Sequence, residues 1–164
     1  MRDNEWLYRG RLGRFVEELI TPNLYGETSH LKLEAWQVPG EPVPFADAVR
    51  QEFAPFEPGT PWGKGWSTLW LHLTGAVPPA WRGTPYEIVV DLGFRKQLDG
   101  GQAEGLVFRP DGSILKAIEP FNRYLPVEHP DAIDLYLEAA ANPEVAVGGS
   151  WHPTPFSSDR KSVV

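Results

Sequence analysis

Cysteine is absent from the 164-residue chain, which excludes a disulfide framework and a thiolate zinc site. A reducing cytoplasm is the location expected for such a chain. Long apolar runs are missing as well: no stretch approaches the ~18 residues a membrane-spanning helix requires, and Met1–Trp6 contains no apolar segment of a secretory signal. There is no Asn-x-Ser/Thr sequon. Basic charge is scarce, with 15 Lys and Arg against 22 Asp and Glu, a net charge of -7 and a pI near 5.1. Phosphate binding needs clustered Lys and Arg, and here they are scattered, so nucleic acid is excluded as a partner.

What the chain does contain is turn formers and aromatics: 17 prolines, 16 glycines and 12% Phe, Trp and Tyr. Proline and glycine punctuate strands and break helices, so this composition describes a loop-rich, mainly β protein. Its length suits one domain able to bury roughly 70% of its unfolded surface. The stretch from Trp62 to Phe94 organises the rest and holds four of the seven tryptophans. Over Ser67–Thr74, Leu69, Leu71 and Leu73 alternate with Thr68, Trp70, His72 and Thr74, the period of two that belongs to a strand with one core face. Tyr86, Ile88, Val90 and Leu92 alternate in the same way with Glu87, Val89 and Asp91. The prolines at 78 and 79 cannot donate to a ladder and force a loop between the two runs. This is a β-sandwich pattern.

Around that stretch, residues 3–20 read as an N-terminal helix, with Asp3 or Asn4 as cap and Leu12, Phe15, Val16, Leu19 and Ile20 at helical spacing. Leu31, Leu33 and Ala35 alternate with Lys32, Glu34 and Trp36 in a first strand. The proline-punctuated segment 39–61 holds a short second helix at 45–53 and reads as an arm wrapped on the domain, because Phe45, Phe53 and Phe56 are too apolar to stay in water. Strands at 103–109 and 113–118 flank Pro110-Asp111-Gly112, a hairpin signal with preset φ, local side-chain bonding and a residue free to take positive φ. Further strands are expected at 124–128 and 132–138, the latter with Ile133, Leu135 and Leu137 inward, making about seven.

Catalytic patterns are sparse. His30, His72, His129 and His152 show no i,i+4 or His-x-His spacing that would bring two imidazoles to one metal, and His129-Pro-Asp131 reads as a turn. His72, on the face of Trp70, reads as a surface or hydrogen-bonded strand residue. Gly149-Ser150-Trp151 supplies no nucleophile elbow, and the glycine-rich Asp99–Gly105 lacks the spacing and lysine of a phosphate loop. It reads as a turn entering a strand. Asp91 and Glu104 are acids on neighbouring strands, and paired acids run glycoside hydrolysis, although acids on β-sandwiches are mostly solvated or bonded to backbone. No catalytic, cofactor-binding or metal residue is assigned. Trp62, Trp66, Trp70 and Trp81 carry two open readings: a platform on which sugar rings stack, or aromatics filling the core or a domain interface.

Several motifs then stand together. Trp62-Gly-Lys-Gly-Trp66-Ser-Thr-Leu-Trp70, Val90-Asp-Leu-Gly-Phe94, Gly101–Phe108, Pro110-Asp-Gly112 and Leu135–Pro143 resemble, in order and spacing, the N-terminal domain of the vacuolar/cytosolic type α-mannosidases of glycoside hydrolase family 38. The resemblance covers about residues 1–156, with residues 1–61 as its N-terminal helical arm. It implies a jelly-roll, galactose-binding-like β-sandwich that precedes a catalytic domain absent from this chain. It also implies a parent that hydrolyses terminal α-mannose by a retaining mechanism with a divalent metal, zinc, held by histidines and aspartates outside this chain. The implied partners are that catalytic domain, carbohydrate, and further copies in a homo-oligomeric parent, without nucleic acid or membrane. Residues 157–164 fall outside the resemblance. Asp159–Val164 matches the translation of a common sequencing adapter, so the tail is expected to be adapter read-through, a reading that the nucleotide sequence tests.

Overall fold

The structure, a computed structural model, describes residues 4–94, 103–125 and 132–142 together with the backbone of 160–161. The expected turn at 99–105 therefore lies mostly outside the described residues, as do His129, Ser150, Trp151, His152 and all but two residues of the tail.

The chain opens with helix α1 (Glu5–Phe15), which runs on through a π-helical turn at Val16–Ile20 and a 3-10 turn at Thr21–Asn23. The expected N-terminal helix is thus present and ends at the predicted Thr21-Pro22-Asn23. Strand β1 (Lys32–Gln37) follows, then a short helix α2 (Phe45–Ala48) and the two-residue strands β2 (Ala54–Pro55) and β3 (Pro61–Trp62). Helix α2 is shorter than the expected 45–53, because the chain turns after Ala48 to send Ala54 back beside β1. The long strand β4 (Ser67–Ala76) leads through a 3-10 turn at Pro79–Trp81 to β5 (Ile88–Val89). Only two residues of the expected 86–92 strand pair as strand, although its alternation is correct: Ile88, Val90 and Leu92 are all buried.

The hairpin of β6 (Glu104–Phe108) and β7 (Ile114–Ile118) forms as the Pro-Asp-Gly signal requires. Gly112 N–H donates to the Arg109 carbonyl, Arg109 N–H donates to the Ser113 carbonyl, and Gly112 sits at φ 82, where a Cβ would be strained. Asp111 accepts from Ser113 N–H at 2.8 Å, and its bonds to Ser113 hold its carboxyl below the ordinary range. Strands β8 (Tyr124–Leu125) and β9 (Ala132–Ala141) complete the body, and Arg160–Lys161, β10, pair antiparallel with β3.

One antiparallel sheet in the order β2-β1-β4-β9-β6-β7 forms the main layer, with β5-β8 and β10-β3 as small two-stranded sheets. The inner face of the main sheet presents Leu33, Leu69, Leu71, Leu73, Val107, Leu137 and Ala139. Ile88, Val90, Leu92, Leu125 and Trp62 close over it from the short strands and their flanks, and together they form one buried cluster. Cross-strand register places Leu137 opposite both Leu71 and Val107, at the centre of this core. The lack of a side chain at Gly105 is what lets β6 lie there, since a Cβ would meet Leu137 Cδ1 at 2.7 Å.

The outer face of β4 is not the solvent face that simple alternation suggests. Thr68 and Trp70 are buried there as thoroughly as the leucines behind them. The arm over 39–61 is the cause: α2 lays Phe45 against this face, while Phe56 packs on the inner core. A second cluster of Val38, Ala48, Trp70 and Phe108 results.

Candidate functional site

The outer face of the main sheet gathers most of the polar and aromatic side chains that chemistry would need. Antiparallel register sets Trp36, Trp70, Glu138 and Leu106 in one row across β1, β4, β9 and β6, and Glu34, His72, Tyr136 and Phe108 in the next. Directly opposed side chains on one face stand close enough to interact. Phe45 packs over both rows, its ring 6.1 Å from Trp70 in the first and 5.2 Å from Phe108 and 5.5 Å from Tyr136 in the second.

The second row holds a polar cluster. The His72 imidazole lies flat on the Tyr136 ring, centroids 4.4 Å apart and planes within 5°. Its Nε2 is 2.8 Å from Asp134 Oδ1, its Nδ1 is 3.8 Å from Glu34 Oε2, and Phe53 meets it edge-on at 6.2 Å. Glu34 is also 3.0 Å from Lys32 Nζ. Burial, then the charges of Asp134 and Glu34, push the Tyr136 phenol up from its ordinary pKa. His72 is therefore a hydrogen-bonded strand residue, as its position on the face of Trp70 suggested. Its carboxylate partners come from two other strands, so only the register, and no spacing in the sequence, brings them together.

In the first row Trp70 is fully buried, and among the described residues its indole N–H has no acceptor. An unmet buried donor of this kind costs about 1–3 kcal/mol. Glu138, its cross-strand neighbour, is half-buried, and desolvation raises its carboxyl above the ordinary range.

The four tryptophans of the sugar-platform reading are not brought together. Trp62 is buried in the inner core with its Nε1 donating to the Leu92 carbonyl at 3.3 Å. Trp70 is enclosed between the sheet and the arm. Neither offers a free ring face, and of the readings left open for these two, their placement is core packing. Trp81, half-buried on its 3-10 turn, donates from Nε1 to Glu27 at 2.9 Å. Trp66 alone of the four is open, 72% exposed, and its backbone has φ 68. A bulky residue rarely takes that left-handed conformation. Its N–H donates to the Ala141 carbonyl at 2.8 Å, which fixes the loop beside the end of β9.

The acids considered for paired chemistry have structural roles or none. Asp91 accepts from Gly93 and Phe94 N–H at 2.9 and 3.0 Å and from Arg123 at 3.1 Å, so it holds a turn, while Glu104 is exposed at the start of β6. Among the described residues, a divalent metal does not fit the histidine cluster, because the two ring nitrogens of His72 face different carboxylates, Glu34 and Asp134, and leave no common centre. Among the described residues no group of three or more His, Asp or Glu side chains is arranged to hold a metal ion.

Comparison with known proteins adds the decisive observation. The family described as "Alpha-mannosidase, jelly roll domain" matches residues 28–161. This chain belongs to that family. The match covers the whole described β-body and the β10 backbone, and begins after the N-terminal helix. Among curated proteins the chain is similar to Alpha-mannosidase 2C1 of Mus musculus, with 25% identity over 153 residues, 85% of this chain and 14% of the relative. It is similar also to Alpha-mannosidase 2C1 of Homo sapiens, with 26% identity over 160 residues, 88% of this chain and again 14% of the relative. The chain thus spans about one-seventh of the curated relatives it matches. No helix among the described residues is long and apolar enough to cross a membrane.

Proposed function

We propose that this chain is the non-catalytic N-terminal jelly roll of an α-mannosidase of glycoside hydrolase family 38. Its intact parent would remove terminal, non-reducing α-D-mannose residues in cytoplasmic mannose and oligosaccharide breakdown. The observation that carries this reading is the pairing of a jelly-roll match over most of the chain with its small share of its α-mannosidase relatives. The divalent metal and the retaining chemistry belong, on this reading, to the rest of the parent. The role left to the jelly roll is structural: a rigid β-body whose two apolar clusters are filled from within and which docks on the catalytic part. Trp66 is the residue best suited to that docking. It is a large apolar side chain held out in water by a backbone conformation that is unfavourable for it, and strain of this kind collects at functional contacts.

A second reading, a free carbohydrate-binding module, is favoured by the aromatic and carboxylate cluster of His72, Tyr136, Phe53, Asp134 and Glu34. Titration with mannose and mannobiose, followed by tryptophan fluorescence, separates the two. The structural reading predicts no saturable change, and the binding module predicts a saturable one that Tyr136→Ala abolishes.

A further inference from the structure

The N-terminal helix carries an apolar seam that nothing among the described residues of the body covers. From Asn4 to His30 no residue is buried, and Tyr8, Leu12, Phe15 and Leu19 are 65%, 64%, 51% and 55% exposed. Their spacings of four, three and four place them on one helical stripe, the pattern of a coiled-coil seam. The helix continues without a break through the π-helical turn at Val16–Ile20, so Leu19 follows Phe15 about one turn on along the same stripe. The segment is anchored at its far end: Tyr25 donates to the Glu87 carboxylate, and Trp81 donates to Glu27. The helix therefore leaves a fixed base with its seam bare.

Its charges say what fits. Arg9 and Arg11 lie in the first half of the seam and Glu17 and Glu18 in the second, with Arg14 just past its midpoint and Glu5, ion-paired with Arg9 at 2.8 Å, ahead of it. A second copy laid parallel would set like charges together. Laid antiparallel, it puts Leu12 against Phe15 of the other copy, Tyr8 against Leu19, and Arg11 beside Glu18, each contact occurring twice by symmetry. We infer that this helix is a self-association surface, and that two copies of the chain pair antiparallel through Tyr8, Leu12, Phe15 and Leu19, with Arg11 and Glu18 setting the direction. The inference rests on the exposed helix and is independent of the α-mannosidase reading.

Sedimentation of the whole chain from about 1 to 300 µM tests it, since a single helix pair lies at the small end of stable interfaces and points to micromolar affinity. A reversible monomer–dimer equilibrium is expected. Leu12→Glu combined with Leu19→Glu should leave only monomer, with the melting transition of the β-body unchanged. Arg11→Glu alone and Glu18→Arg alone should each weaken the dimer roughly tenfold, and an equimolar mixture of the two variants should restore it as a heterodimer. A chain that is monomeric throughout overturns the inference, as does a dimer indifferent to the Leu12/Leu19 pair. Single charge variants that are not rescued by mixing refute the antiparallel arrangement. A monomer that instead sediments with anionic phospholipid vesicles assigns the seam to a membrane surface and refutes self-pairing.

Discussion

Replacing Gly105 by alanine should destabilise the native protein yet stabilise a Leu137→Ala variant. In the native core the new methyl group would stand 2.7 Å from Leu137 Cδ1, 3.3 Å from Leu92 Cδ1 and 3.4 Å from the Glu138 carbonyl. Leu137 is fully buried between Leu71 and Val107 and has little room to yield. Overpacking of this kind costs about 1–3 kcal/mol, against which the lower chain entropy of alanine returns about 0.5–1 kcal/mol. A net loss of about 1 kcal/mol is expected. Leu137→Ala alone removes a central side chain and leaves a cavity, for about 3–4 kcal/mol. In that background the clash is gone and the added methyl partly fills the space, so Gly105→Ala should gain about 1 kcal/mol. The coupling between the two sites is then about 2 kcal/mol, within the range for residues in contact. Urea denaturation of the four proteins, read by far-UV circular dichroism, measures it. Equal effects of Gly105→Ala in both backgrounds would refute the packing described for β6 against β9.

At position 66 the left-handed backbone makes a different comparison informative. Trp66→Gly should be more stable than Trp66→Ala by about 1 kcal/mol in thermal unfolding, because only glycine takes φ 68 without a penalty; the reverse order would mean that this loop is not left-handed in solution. Glu138 has its carboxyl raised by burial, so the folded state favours its protonated form. Its contribution to stability is full below the unfolded carboxylate range and is lost as pH rises through the higher folded value. Glu138→Gln should raise the melting temperature at pH ~7 and leave it unchanged near pH ~3, and an unchanged melting temperature at both would refute the burial. Tyr25, pushed up to about 12 first by burial and then by its bond to Glu87, should ionise at lower pH in Glu87→Gln, as measured by ultraviolet titration; an unmoved titration would deny the contact.

The parts of this fold that sequence made legible are those in which one chain segment carries its own evidence. Leu69, Leu71 and Leu73, and Ile133 and Leu137, announce their strands by alternation, and Pro110-Asp111-Gly112 announces its turn by the φ values it needs. Alternation tells two faces apart, but it does not say whether the second is covered. Trp70 therefore reads as an outward residue until Phe45, from a segment more than twenty residues away, is placed on it. The two-residue strands β2, β3, β5 and β8 have too little sequence to show a period and exist because partners are held beside them. The cluster around His72 was illegible for the same reason: Glu34, His72, Asp134 and Tyr136 are distant in sequence, and only the pairing of β1, β4 and β9 aligns them. The tryptophans show the limit most clearly, since four similar side chains within one stretch have four different fates: inner core, second cluster, half-buried turn and open water.

The reading of this chain as a non-catalytic jelly roll is tested most directly by incubating the scrupulously purified protein with an aryl α-mannoside, with and without Zn²⁺ or Co²⁺. Release of the aryl alcohol at the rate of the protein-free blank, at every chain concentration, is the predicted result. A rate that rises in proportion to the chain and survives repurification would contradict it.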